Sequence, residues 1–328
     1  MLDYRKNSFN LIRLLAALQV FVGHAVAHLK INYSFKIITL FQGVPIFFFL
    51  SGFLIWSSIG RTSEFGEYIK KRVLRVYPEL WIGVALSIVS ILVLYIRNVD
   101  WVDLGLFTIT QSTVLQFWTP DSLRGFGCGT PNGSLWTIGV IIQFYLLAWP
   151  LHKLLKKKRD WIILILFSVV LNVIYPELRA LIPSNILLKL FGQTVFPYLW
   201  IFLFGGLVWS YRESIVPFLK KFWWVALCIM LVAKYAGVPR FGAYDLLNSV
   251  CLFALITGFA YKFYGLNVKY DISYGIYIYH MIVINVLIEL NIIESWYAFL
   301  LALVITALLA IASCFINSRI NIRLGCRK

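Results

Sequence analysis

Ten apolar runs, near 9–29, 38–59, 78–96, 134–151, 161–176, 187–210, 222–237, 243–263, 271–292 and 296–317, take up most of the 328 residues. A helix crosses the roughly 30 Å hydrocarbon layer in about 20 mostly apolar residues, so each run is a transmembrane candidate. The gaps between them are short and leave little for a soluble domain. The run 161–176 is short for a span, and 101–118 carries Asp103, further polar residues and the flanking Trp101 and Trp118. That pattern predicts an interfacial helix rather than an eleventh crossing. With 61% hydrophobic and 13% charged residues, well away from the roughly 25% charged of soluble domains, water is not the main solvent of this fold. The expected class is all-α: a polytopic membrane helix bundle of about ten transmembrane helices.

A net charge of +16 would invite nucleic acid, but the 30 Lys and Arg residues fall in small groups between the apolar runs, not along one face. Loops that stay in the cytoplasm retain basic residues. Alternate gaps, including Arg61 to Arg75, the run 153–159, Arg212 to Lys221, and the two termini, collect 21 of them; the other gaps hold 8. Both termini are therefore expected in the cytoplasm, with 97–133 as the longest outer loop. Counting 101–118 as a span would put the 153–159 cluster outside. Membrane lipids are the expected surroundings, and no nucleic-acid partner is expected. The N-terminal stretch shows no convincing cleavage site and reads as a retained first helix. The five cysteines form no CxxC pair and no zinc spacing, so no metal site is expected.

Arg13 and His24 are eleven residues apart in one apolar run, which on a helix is about three turns and places them on one face. Ionisable groups at that depth are costly and point into a bundle or watery cavity. A snorkelling arginine and a histidine bonded to a neighbouring helix is the bland alternative. His28 follows His24 at metal-ligand spacing, but HAVAH lacks the glutamate of the HExxH motif. Phe47 to Gly52 (FFFLSG) suits close helix packing. Arg72 and Arg75 lie one helical turn apart at an expected cytoplasmic end, a spacing suited to phosphate groups, though topology and anionic-lipid contact are the more common role of a cytoplasmic basic cluster. His280, in SYGIYIYH, reads alone either as a satisfied core histidine or as a functional one.

Taken in order, these segments form a pattern. LIRLLAALQVFVGH, GVPIFFFLSGFLI, RVLRVYP, NGSLWTIGVIIQFYLLAWP and ISYGIYIYH resemble acyltransferase family 3, bacterial integral membrane acyltransferases that modify O-antigens, exopolysaccharides and related glycans. The match runs nearly end to end, so residues 1–328 read as one membrane acyltransferase domain. The lack of a hydrolase-like C-terminal domain is similar to the short O-acetyltransferases of the family. The resemblance implies catalytic roles for His24, Arg13 and His280, and donor-binding roles for Arg72, Arg75 and Ser51. It implies acetyl-CoA as donor substrate with no bound cofactor, a lipid-linked or surface glycan of O-antigen, lipopolysaccharide or exopolysaccharide type as acceptor, and the bacterial inner membrane as location. His24 would act as base or carry the acetyl group itself. One position departs from the pattern: where members commonly have a glutamate, this chain has Ile141. That leaves the partner of His24 unassigned, with Glu79 the nearest acidic candidate. A transporter and a catalytically inactive scaffold are the rival readings.

Overall fold

The computed structural model describes residues 3–33, 36–116 and 118–323. Cys326, Arg327 and Lys328, the last two counted above toward a cytoplasmic C-terminus, lie outside the described residues. Among the described residues there is no strand. The helices in chain order are α1 (Phe9–His28), α2 (Gly43–Ile59), α3 (Phe65–Leu94), α4 (Trp101–Ser112), α5 (Trp136–Leu154), α6 (Lys158–Ala180), α7 (Asn185–Gly192), α8 (Leu199–Ser210), α9 (Arg212–Tyr235), α10 (Leu246–Lys262), α11 (Ser273–Glu289) and α12 (Trp296–Arg323). Among the described residues seven helices are long and apolar enough to cross a membrane, and α8, α10 and α11 are shorter apolar helices. Each of the ten predicted runs overlaps one of these ten. This is an all-α membrane protein.

Three details differ from the sequence expectation. The short run 161–176 belongs to a 23-residue helix, α6, because flanking polar residues such as Asp160 continue it. The run 187–210 is two helices, since Gly192 and Pro197 break the ladder between α7 and α8. Side chains repair the break: Tyr198 donates its hydroxyl to the Gly192 carbonyl at 2.9 Å, and Gln143 donates its amide to the Gln193 carbonyl at 2.7 Å. Irregular backbone at membrane depth is tolerated only where the protein satisfies it in this way. The stretch 101–118 is helical only to Ser112; Asp100 starts it by accepting from the backbone N–H groups of Val102 and Asp103.

The chain divides into two compact units. The first comprises Met1–Ala16, Lys36–Tyr68 and Val140–Lys269. Its centre is the crossing of α2 and α8. A Cβ on Gly52 would strike the backbone carbonyl of Phe202, and a Cβ on Gly205 the carbonyl of Phe49, so the two backbones touch where each helix presents glycine. Phe144 stacks on Phe202 at 4.4 Å beside this crossing, and Phe49 on Phe253 at 4.6 Å.

The second unit comprises Ala17–Phe35, Ile69–Gly139 and Tyr270–Lys328. Here α12 shows how the sequence sorts lipid from protein. Ala298, Ala302, Thr306, Ala310 and Ser313, three or four residues apart, are buried, while Leu300, Val304, Leu308, Ile311 and Phe315 are exposed. Small residues face the bundle and large apolar ones face outward, the arrangement expected when the outer solvent is hydrocarbon. α11 is apolar all round and 13 of its 17 residues are buried, as a helix without a polar face requires. Gly275 lets it approach α12: an added Cβ would lie 2.8 Å from the Ala310 Cα.

Candidate active site

The second unit carries four of the predicted site residues: His24, His280, Arg72 and Arg75. Two are brought into contact. Nδ1 of His24, on α1, lies 2.8 Å from Nε2 of His280, on α11, and the rings are near parallel at 14°. His280 is fully buried. Its Nδ1 faces the Ile276 carbonyl oxygen at 3.1 Å, one helical turn back.

This network assigns the tautomers. A carbonyl oxygen only accepts, so His280 Nδ1 carries a proton and donates it to Ile276. A neutral His280 then has a lone pair at Nε2, which accepts the Nδ1–H of His24. That leaves the lone pair of His24 on its Nε2, pointing away from the pair. The relay runs from Nε2 of His24 through two imidazoles to a backbone carbonyl. Like an orienting carboxylate elsewhere, it fixes the ring and the tautomer of His24.

The environment keeps the relay in place. Phe21 packs edge-on to His280 at 6.4 Å, as does Tyr277 at 6.0 Å. A segment ahead of α5 is stitched to α11 by its polar residues. Asn132 donates its amide to the Ile278 carbonyl at 3.0 Å, and Ser134 its hydroxyl to the Tyr277 carbonyl at 3.1 Å. Together with the His280 bond, three successive carbonyls of α11, those of residues 276, 277 and 278, each receive a side-chain donor. The Tyr277 hydroxyl bonds the Ser134 carbonyl at 3.2 Å and lies 2.8 Å from the Thr137 Oγ1. Further along, Asn285 donates to the carbonyls of Thr130 and Pro131, both at 2.8 Å, and accepts from the Cys128 N–H at 2.9 Å. The position of His280 is therefore set from outside its own helix. The motif NGSLWT was visible, but nothing in a single sequence says which of its polar atoms reach a helix 140 or more residues away.

The remaining predicted residues fall as follows. Arg13 is half-buried on α1, eleven residues from His24 and so on the same side of that helix. Arg72 is half-buried and Arg75 exposed near the start of α3; Arg75 lies 3.9 Å from Asp271. Asp271 also accepts from the hydroxyl and N–H of Ser273 at the head of α11. Ser51 is half-buried on α2, in the first unit. Glu79 is buried and accepts from the Ser313 hydroxyl at 3.4 Å. His24 is bonded to His280 and not to this carboxylate, so the partner that Ile141 left unassigned is an imidazole. His28, expected in solvent, is half-buried with its ring 5.9 Å from that of His24.

Fold and site together define an integral membrane protein with two hydrogen-bonded imidazoles, from α1 and α11, in its second unit. The family model of an acyltransferase domain matches residues 6–316, and the chain belongs to that family, acyltransferase family 3; it is an acyltransferase. It is similar to nodulation protein 10 of Rhizobium leguminosarum bv. viciae, 29% identical over 94% of this chain and 91% of the relative. It is also similar to an O-acetyl transferase of Shigella phage Sf6, 26% identical over 87% of each chain. No solved structure matches the chain.

Proposed function

We propose that this acyltransferase carries an acetyl group from acetyl-CoA to a hydroxyl of a lipid-linked or surface glycan, of O-antigen or exopolysaccharide type, in the bacterial inner membrane. The observation that carries the reading is the relay from the Ile276 carbonyl through His280 to Nδ1 of His24, which leaves Nε2 of His24 as a base of defined direction. The Shigella phage relative, an O-acetyl transferase by name, supports acetyl as the group and oxygen as the acceptor atom.

In the proposed reaction Nε2 of His24 takes the proton of the sugar hydroxyl as its oxygen attacks the thioester carbonyl of acetyl-CoA. The resulting tetrahedral centre collapses, the C–S bond breaks, and the departing thiolate receives that proton from His24. Sugar and acetyl-CoA go in; acetylated sugar and CoA come out. His280 stabilises the imidazolium formed between the steps by accepting its Nδ1–H. Arg72 and Arg75, one turn apart, suit the CoA phosphates.

The test is acetyl content of the surface glycan divided by the amount of folded protein. His24→Ala is expected to lower that ratio about 10²- to 10⁴-fold, the range of a lost general base. An unchanged ratio removes His24 from the chemistry. Labelled acetyl retained on acid-quenched protein but absent from His24→Ala would replace the base role with an acyl-histidine at the same nitrogen.

A further inference from the structure

His28 takes no part in the reaction above, although it stands one helical turn beyond the proton acceptor and in the same compact unit. The rings of His24 and His28 lie 5.9 Å apart, centre to centre, at 50° to each other. His28 is the last residue of α1, and the chain beyond it is fixed. Lys30, at φ +52°, turns the backbone, and the Ile31 N–H donates back to the Val26 carbonyl at 3.0 Å. The Glu294 N–H donates to the Leu29 carbonyl at 2.8 Å, which ties this turn to the segment ahead of α12. The last turn of α1 therefore holds His28 in place beside His24.

Both imidazoles keep open nitrogens. Nδ1 of His24 is spent on His280, but its Nε2 has no hydrogen-bond partner among the described residues, and neither nitrogen of His28 has one. None of these three is among the unpartnered polar atoms shut off from solvent, so a ligand can reach them. An oxygen at about 2.8 Å from one nitrogen of each ring would sit about 4 Å from each ring centre. Two such distances span the observed 5.9 Å with an angle of about 95° at the oxygen, near the tetrahedral angle. One oxygen can therefore bridge the two rings. Nε2 of His24 only accepts, so that oxygen must bring a proton; a neutral His28 supplies one N–H, so it must also offer a lone pair. A hydroxyl meets both conditions. An ionised carboxylate or phosphate fails the first, and an ammonium fails the second.

We propose that His28 aims the acceptor hydroxyl, donating its N–H to one lone pair of the sugar oxygen while Nε2 of His24 takes the proton. The oxygen then has its bond to the sugar carbon, its proton on His24 and one lone pair on His28, which leaves the other lone pair for the thioester carbonyl carbon. His28 gives up no proton; the one lost by the hydroxyl passes through His24 to the departing thiolate. Holding a reacting atom in line in this way lowers the barrier without new chemistry. The inference rests on the reading of His24 as base and deepens it by naming the residue that orients the acceptor. A metal ion is the other occupant that two histidines four residues apart can hold, and the test includes it.

Acetyl content of the surface glycan per folded protein is measured in cells carrying each variant, and CoA affinity by calorimetry on purified full-length protein in phosphatidylcholine nanodiscs. His28→Leu is expected to lower the ratio about tenfold, the worth of a lost hydrogen bond and the alignment it gives, with CoA affinity unchanged. His28→Gln, whose amide N–H can donate, should stay within about threefold of the parent, whereas His28→Glu, of the same length but accepting only, should fall as low as His28→Leu. A parental ratio for His28→Leu, a His28→Glu protein as active as His28→Gln, or loss of CoA affinity in His28→Leu would overturn the proposal. So would a stoichiometric divalent metal in the purified parent that His28→Leu lacks, since the gap would then belong to that ion. Failure of the base reading shows elsewhere, in a His24→Ala ratio that does not fall; a fall for His24→Ala with none for His28→Leu sinks this proposal alone.

Discussion

A histidine among apolar helices serves as a base only if one ring nitrogen is committed and the other keeps its lone pair. His280 commits Nδ1 of His24 in this way, and its own Nδ1 is committed to the Ile276 carbonyl. Replacing His280 by Ala should therefore lower transfer per folded molecule by about tenfold or more, the worth of one hydrogen bond to a group that becomes charged. His280→Gln should recover part of the loss, because an amide oxygen can accept the His24 Nδ1–H. A merely structural histidine would instead reduce the amount of folded protein and leave the rate per molecule intact, so the two quantities are measured together. At this scale the sequence was informative about residues and silent about pairs. The depth of His24 and His280 in apolar runs marked each as costly, but their separation of 256 positions hid the bond between them. Ile141, which reads in sequence as a missing partner, made a lost function conceivable; the relay accounts for the partner without a carboxylate.

At the scale of elements, what positions α11 is the segment 127–137, and what holds that segment is Asn285. Its amide bonds two carbonyls and its oxygen one N–H. Asn285→Ala would strip three groups of their partners and should destabilise the protein by about 2–4 kcal/mol. The same change should free Cys128. Its thiol is half-buried, and that burial raises its pKa above the ordinary thiol range, so it reacts slowly at neutral pH. With fewer thiolates, maleimide labelling of Cys128 in the parent protein should accelerate as pH rises, and Asn285→Ala should label faster at neutral pH. Equal rates in the two proteins would show that Asn285 does not hold the loop. The α2–α8 crossing makes a companion case. Gly52→Leu drives a side chain into the Phe202 backbone and should remove most folded protein, whereas Gly23→Ala, with nothing within 4 Å of its Cβ, should be stabilising by about 1 kcal/mol. Helix existence was legible because spanning length and apolarity are local properties. The break between α7 and α8 and the bend in α9 at Phe222 were not, since partners from other helices decide whether a run stays straight.

For the whole molecule, orientation in the membrane follows from charge. The basic residues divide 21 to 8 between the two sets of gaps, and retention of Lys and Arg on the cytoplasmic side is what sets the topology of multispanning chains. The division depends on α4 not crossing. α4 is no shorter than α8, at 12 residues each, but unlike α8 it carries Asp103 and several hydroxyl and amide side chains, and Trp101 at its start is exposed as an interfacial anchor would be. On that division the run 153–159 is expected in the cytoplasm and Cys128 outside, and the proposed acetyl-CoA would reach α3 from the side of Arg72 and Arg75. In a variant that keeps Cys128 alone among the cysteines, an impermeant maleimide at alkaline pH should label intact cells, alkaline because the buried thiol is otherwise slow. In a second variant lacking native cysteines and carrying Lys157→Cys, label should appear only once the membrane is opened. The reverse pattern would invert the molecule, placing the arginine pair on the side without acetyl-CoA, and with it would fall the donor role of Arg72 and Arg75 while the His24–His280 relay stood unchanged.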